Sequence, residues 1–253
     1  MSSFSQKMLI VVVAAGVVWG GLWYLQRGWI SQDPTKIKVD PRVEREILAL
    51  LEKSKVAKRD HRVAIFYEIL SMGREGLPVL VHALCDKDPR VRAFVASILP
   101  HYGNVSVIPF LEARLKDESP LVRRSVLTAL GHLGAVETVP AIILLLDDGD
   151  SFTRCQAALV LGSLGRPAAV IPLIETLGND PYPIARQTAA NSLGEIGSEK
   201  AVRPLINSLD DSNHLVRSAS LIALNRITGT GLGPYKEPWT AWWNDRRPDD
   251  IRE

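Results

Sequence analysis

An arginine and an aspartate recur with unusual regularity in this chain. Arg92, Arg123, Arg154, Arg186 and Arg217 lie 31, 31, 32 and 31 residues apart, and six residues before each stands Asp86, Asp117, Asp148, Asp180 or Asp211. A carboxylate beside a guanidinium can clamp an anion or assist proton transfer. It can equally hold backbone together through charge-assisted hydrogen bonds. An active site occurs once, whereas this pair occurs five times. The spacing therefore predicts a structural ladder at the boundaries between units, satisfying loop backbone and fixing the stacking angle. The five histidines, His61, His82, His101, His132 and His214, are the other chemical candidates. His101 and His132 hold equivalent positions, but a metal needs a third ligand, and the next unit offers Ser163 there, with Glu195 one unit further. No G-x-S-x-G, no P-loop and no strand-borne G-x-G-x-x-G is present. The expected catalytic, metal and cofactor sets are empty.

The elements around the ladder follow from the same interval. Asp, Ser and Pro precede the arginine, as in Asp88-Pro89-Arg90-Val91-Arg92 and Ser119-Pro120-Leu121-Val122-Arg123, and such residues start helices. An apolar helical stripe follows, such as Val126, Leu127, Leu130 and Leu133. Eleven residues after four of the arginines stands Gly103, Gly134, Gly165 or Gly197, suited to a left-handed helix end. Arg62 with Gly73 marks a degenerate first unit, and Gly229, one place late, a degenerate last one. Pro78, Pro109, Pro140, Pro172 and Pro204 open a second, shorter helix. Eight and twelve residues after the glycines stand Leu111 and Leu115, Ile142 and Leu146, Leu173 and Leu177, Leu205 and Leu209. The first unit has Leu80 and Leu84. The i,i+4 spacing puts each pair on one helix face. Each unit is a helix–turn–helix that must stack on its neighbours to bury that face.

The pattern Asp-x-x-Pro-x-Val-Arg, Ala-Leu-Gly-x-Leu-Gly, then Pro-x-Leu-x-x-x-Leu-x-Asp resembles the short HEAT-like repeats of the phycobilisome-lyase type. Ala129-Leu130-Gly131-His132-Leu133-Gly134 and Leu161-Gly162-Ser163-Leu164-Gly165 carry the resemblance best. It implies an all-α fold, a right-handed α-solenoid over roughly residues 60–228. Residues 41–59 fit a capping helix, with Asp40 as cap, Pro41 in the first turn and Val43, Ile47, Leu50 and Leu51 on one face. Residues 229–253 resemble the Trp-rich tail that follows the last repeat in many such proteins, and Trp239, Trp242 and Trp243 are expected to close the stack. HEAT-repeat iron hydroxylases carry His-Glu dipeptides, and none of these histidines precedes a Glu.

Composition excludes several classes. A 46% apolar share is too high for a disordered chain, and two cysteines are too few for a disulfide scaffold. Thirty basic against twenty-eight acidic residues in 253 leave +2, which argues against a nucleic-acid partner. Residues 8–25, MLIVVVAAGVVWGGLWYL, carry no charge and span roughly 27 Å as a helix. The expectation is a transmembrane anchor behind a short tail (1–7), followed by a juxtamembrane linker (26–40), making a single-pass membrane protein in contact with the lipid bilayer. A cleaved signal peptide is the rival reading, and the side of the membrane stays open. Gly16 and Gly20 form a GxxxG that would permit a weak homodimer, although glycine is also common in such spans.

The second helices point to function. Ten and eleven residues after each glycine stand Ala113 and Arg114, Leu144 and Leu145, Glu175 and Thr176, Asn207 and Ser208. These are expected to face outward, on the surface such solenoids make concave. Leu144 and Leu145 are the exception among polar or small residues and fit either a partner anchor or a crowded core. The expected function is a membrane-tethered, non-catalytic scaffold that binds an unidentified protein, with Leu144, Leu145, Arg114 and Glu175 as contacts. A bilin-lyase-like enzyme or chaperone, and a structural membrane protein dimerising through its anchor, are the alternatives.

Overall fold

The computed structural model describes residues 33–246. Thirteen α-helices, with short 3-10 turns between them, make up the described residues, and no strand is found among these. The leading helix is α1 (Pro41–Ser54). Six units follow: α2 (Arg59–Ser71) with α3 (Leu77–Ala83); α4 (Pro89–Ile98) with α5 (Ile108–Glu112); α6 (Pro120–Leu133) with α7 (Val139–Ile143); α8 (Ser151–Leu164) with α9 (Val170–Asn179); α10 (Pro183–Ile196) with α11 (Val202–Asn207); and α12 (His214–Thr228) with α13 (Lys236–Asp245).

The ends of the helices come from the residues the repeat supplies. Asp40, Asp88, Asp150 and Asn213 each turn a side-chain oxygen onto a first-turn N–H of α1, α4, α8 and α12, at 2.7–2.9 Å. Pro120 and Pro183 open α6 and α10, where a missing N–H costs nothing. Gly134, Gly165, Gly197 and Gly229 cap α6, α8, α10 and α12, Gly103 caps the 3-10 turn Leu99–Tyr102 that continues α4, and Gly73 lies two residues past α2, all with φ between 61° and 74°. A side chain is strained in that region, so glycine ends the helix cheaply.

First helices stack on first helices, α4 on α6, α8, α10 and α12 in turn, and each second helix packs against the first helix of the next unit, α3 on α4, α5 on α6, α7 on α8, α9 on α10 and α11 on α12. The Leu and Ile pairs of the second helices are 0–5% exposed. They join one continuous apolar core that runs from Ile47 in α1 to Trp239 in α13. The second helices are shorter than their spacing implies. α5, α7 and α11 tighten into 3-10 turns at Ala113–Lys116, Leu144–Asp147 and Ser208–Asp210, whereas α9 stays α-helical to Asn179.

Two expectations about the first forty residues change. The expected localisation as a single-pass membrane protein is corrected. Among the described residues no helix is long and apolar enough to cross a membrane. The longest, α12, has 15 residues, about 22 Å against a hydrocarbon core of roughly 30 Å. The anchor expected at 8–25, its lipid contact and the Gly16–Gly20 dimer motif lie outside the described residues. The described part of the 26–40 stretch is more than a connection. A 3-10 turn at Pro34–Lys36 packs on α3 with Pro34 buried, and Ile37 and Val39 lean on the core.

Candidate functional site

The ladder is built across units. Each arginine donates from Nη1 to the backbone carbonyl of the aspartate six residues before it: Arg92 to Asp86, Arg123 to Asp117, Arg154 to Asp148, Arg186 to Asp180 and Arg217 to Asp211, all at 2.8–2.9 Å. The rest of the guanidinium reaches forward to the carboxylate of the next unit. Arg92 grips Asp117, Arg154 grips Asp180 and Arg186 grips Asp211 with two hydrogen bonds each, at 2.7–2.9 Å. Arg123 reaches Asp148 with Nη2 alone, and its buried Nε has no partner. Every ladder aspartate also accepts the backbone N–H two residues on, from Asp88, Ser119, Asp150, Tyr182 and Asn213. One carboxylate thus closes the loop that starts its own first helix and receives the arginine of the unit before. Asp86 has no such arginine behind it, and Arg217 has no ladder aspartate ahead.

These contacts set the electrostatics. Burial pushes the Asp117 and Asp180 carboxyls up. The Arg92 and Arg154 guanidinium groups, with the Ser119 and Tyr182 N–H groups, outweigh it and hold both below the ordinary aspartate value. For Asp211 the Arg186 hydrogen bond is the largest cause, and its carboxyl is lowered as well. Asp117, Asp148, Asp180 and Asp211 are thus each spent on the arginine of the unit before.

The second-helix face is where side chains remain available. Of the outward pairs, the first member of each is exposed: Ala113, Leu144, Glu175 and Asn207. The second member turns in. Arg114 and Leu145 are half-buried, Ser208 is half-buried and donates to the Pro204 carbonyl, and Thr176 is buried and donates to the Pro172 carbonyl. Leu145 leans on the apolar core, while Leu144 is 68% exposed. A cavity of about 420 Å³ opens between the second and third units, lined by Pro109, Ala113, Leu115, Ala141, Leu144 and Leu145, with Glu112 and Lys116 at its edge. A groove of about 610 Å³ follows between the third and fourth units, and Glu175 and Asp147 line it. Leu144, Leu145 and Glu175 therefore lie along one face, in two adjoining depressions. Arg114 lines neither and sits near Asp117, whose carboxyl it helps to hold low.

Asp147 is a site residue that the residue pattern did not single out. Its signal was present: thirteen residues after the glycine the unit before has Lys116, so the charge reverses sign there. A second unremarked surface lies on the first helices. Two residues before four successive ladder arginines stand Leu121, Phe152, Ile184 and Leu215, each 43–56% exposed. Arg124 lies 5.8 Å from the Phe152 ring centroid and pairs with Asp150 at 2.8 Å.

The remaining candidates are placed as follows. Among the described residues no group of three or more His, Cys, Asp or Glu could hold a metal ion. His101 meets Phe66 edge to face, with centroids 4.9 Å apart. Cys85 and Cys155 are free thiols. Trp239 is fully buried and donates from Nε1 to the Gly233 carbonyl at 2.8 Å, and α13 packs on α11. Trp242 meets the Trp239 ring edge to face and carries the Arg246 guanidinium on its own face, and Trp243 leans on the core.

Stacked helical pairs, a left-handed glycine in each unit and an Arg–Asp clamp between units define an all-helical repeat solenoid. The family model for HEAT repeats matches residues 108–194 and 172–235, about half of the chain, and the chain belongs to that family. No curated protein matches it. Among solved structures it is similar to an engineered protein at 19% identity and TM-score 0.51, covering 78% of this chain and 95% of that one. A second engineered protein matches at 18% identity and TM-score 0.51, covering 79% and 100%. The complex of CpcE and CpcF of phycocyanin lyase from Nostoc matches at 21% identity and TM-score 0.39, covering 90% and 89%. At 18–19% identity the likeness to the two engineered proteins is one of fold.

Proposed function

We propose that this protein is a non-catalytic scaffold that binds another protein through its second-helix face, with Leu144 at the centre of the contact. HEAT-type solenoids suit protein interaction because a stack of short units exposes a long surface on a rigid core. The observation that carries the reading is Leu144, an exposed leucine at the rim of an apolar cavity, in a row whose other members are small or polar. An exposed apolar side chain beside a depression is the usual form of an interaction anchor. Glu175 in the next groove adds polar contacts, and Leu145 supports the cavity from the core side.

Leu144→Asp tests the reading without disturbing packing, whereas Leu145 is too deeply packed for that purpose. Partners captured from an extract of the source organism should fall at least tenfold with Leu144→Asp, while circular dichroism stays unchanged. Retention of the same partners, or an equal loss with Ile222→Asp on the first-helix face, overturns the assignment.

A further inference from the structure

The chemistry on either side of Leu144 specifies its occupant. Asp147 and Glu175, which line the groove between the third and fourth units, are exposed and have no ion-pair partner among the described residues. The other two carboxylates of that groove are already committed, Asp148 to Arg123 and Asp180 to Arg154. Arg154, the one cation in the lining, is spent on Asp180 and on the Asp148 carbonyl. The groove therefore presents two uncompensated negative charges. The neighbouring cavity is apolar, and Glu112 and Lys116 at its edge cancel. The 3-10 turn Leu144–Asp147 carries both residues, with Leu144 lining the cavity toward the second unit and Asp147 the groove toward the fourth. Leu144 and Glu175 hold equivalent positions in adjacent units, and packed helices lie about 8–10 Å apart. An extended chain advances about 3.3 Å per residue, so three residues span that interval.

We propose that this face takes an extended basic peptide. An apolar side chain enters the Leu144 cavity, and a Lys or Arg about three residues along sits between Asp147 and Glu175. The proposal rests on the reading of this face as the partner surface and adds the chemistry of the partner. The negative groove lies only on the fourth-unit side of Leu144, and this sets direction. The basic residue points toward the fourth unit, and an acidic one is tolerated only toward the second.

The test uses the full chain and short fluorescein-labelled peptides read by anisotropy. One carries Leu and Arg three residues apart, one carries Leu and Glu, one Arg alone and one Leu alone. The Leu–Arg peptide should bind at least tenfold more tightly than the other three and weaken as salt is added. Glu175→Lys with Asp147→Lys should reverse the preference toward the Leu–Glu peptide, and Leu144→Asp should weaken both. If Leu144→Asp abolishes binding while the charge reversal changes nothing, the basic-peptide assignment falls and the partner surface stands. If neither variant matters, or no peptide binds at millimolar concentration, both fall. If the protein self-associates in ultracentrifugation and Leu144→Asp makes it monomeric, the occupant is a second copy and the peptide proposal is overturned.

Discussion

A single ladder aspartate such as Asp180 holds two loops at once, and its removal separates the roles of charge and shape. Asp180→Asn keeps the acceptor for the Tyr182 N–H but leaves the Arg154 guanidinium, 13% exposed, short of its counter-charge. Breaking a buried pair on one side costs about 3–5 kcal/mol, which chemical denaturation measures directly. The pH dependence carries a definite sign. Asp117, Asp180 and Asp211 are held below their unfolded value of 3.8, so the folded state favours the ionised form. Their contribution is whole above that value and is lost as pH falls from it through the lowered folded values. Stability should therefore be insensitive to these groups near neutrality and drop below about pH 4, with a shallower drop in Asp180→Asn. Ser220 gives the opposite kind of prediction. It is fully buried on α12 and its hydroxyl has no partner, at a place where α8 and α10 have Ala157 and Ala189. Ser220→Ala should stabilise by about 1–2 kcal/mol, since an unmade buried hydrogen bond is removed. The ladder was legible as a periodicity, yet its pairing was not. An interval of six within a unit and of about twenty-five to the next are equally regular, and only the packed geometry shows that the first ends on a carbonyl and the second on a carboxylate.

At the scale of elements, the units were readable because glycine, proline and the Leu pairs each answer to a backbone or packing requirement. The 3-10 ends of α5, α7 and α11 were not, because an i,i+4 pair remains buried in either form. At Leu144–Asp147 the tightened turn carries both the exposed leucine and the exposed carboxylate. The close approach of the first helices was also hidden in residues that look merely small. A Cβ at Gly162 of α8 would come within 2.8 Å of the Ser192 Cα, and one at Gly194 within 2.9 Å of the Ala223 Cα. Ser192 further ties the units together by donating to the Ala158 carbonyl at 2.8 Å. Gly162→Ala must push α8 and α10 apart and should cost about 1–3 kcal/mol. Gly178 in α9 has open space around its Cα and ordinary helical backbone, so Gly178→Ala should stabilise by about 0.5–1 kcal/mol. Thermal melts of the two variants, moving in opposite directions, would show that the first helices are limited by contact and the second by backbone entropy.

For the whole molecule, a solenoid is held by nearest neighbours, so its ends decide where it opens. The core runs unbroken from α1 to α13, and the two ends are closed by different means. At the start, α1 buries Ile47, Leu50 and Leu51. At the finish, the burden falls on one side chain, Trp239, which is fully buried and tied to the Gly233 carbonyl. Beyond it, Lys236 reaches back to Asp210, an exposed pair of little weight. The last ladder arginine, Arg217, has no ladder aspartate ahead of it, so the closure by α13 lacks the clamp that holds each interface from Asp117 to Asp211. Loss of the tryptophan should therefore be felt locally. Trp239→Ala should cost about 3–5 kcal/mol at its own site, and hydrogen exchange should speed up in α12 and α11 first, with α6 and α8 little changed. If exchange instead rises evenly along the stack, the units fold as one cooperative block and the nearest-neighbour description is wrong. A graded response would mean that the face around Leu144, three units from the cap, keeps its shape while the end frays. That protection is what the proposed contact surface at mid-stack requires.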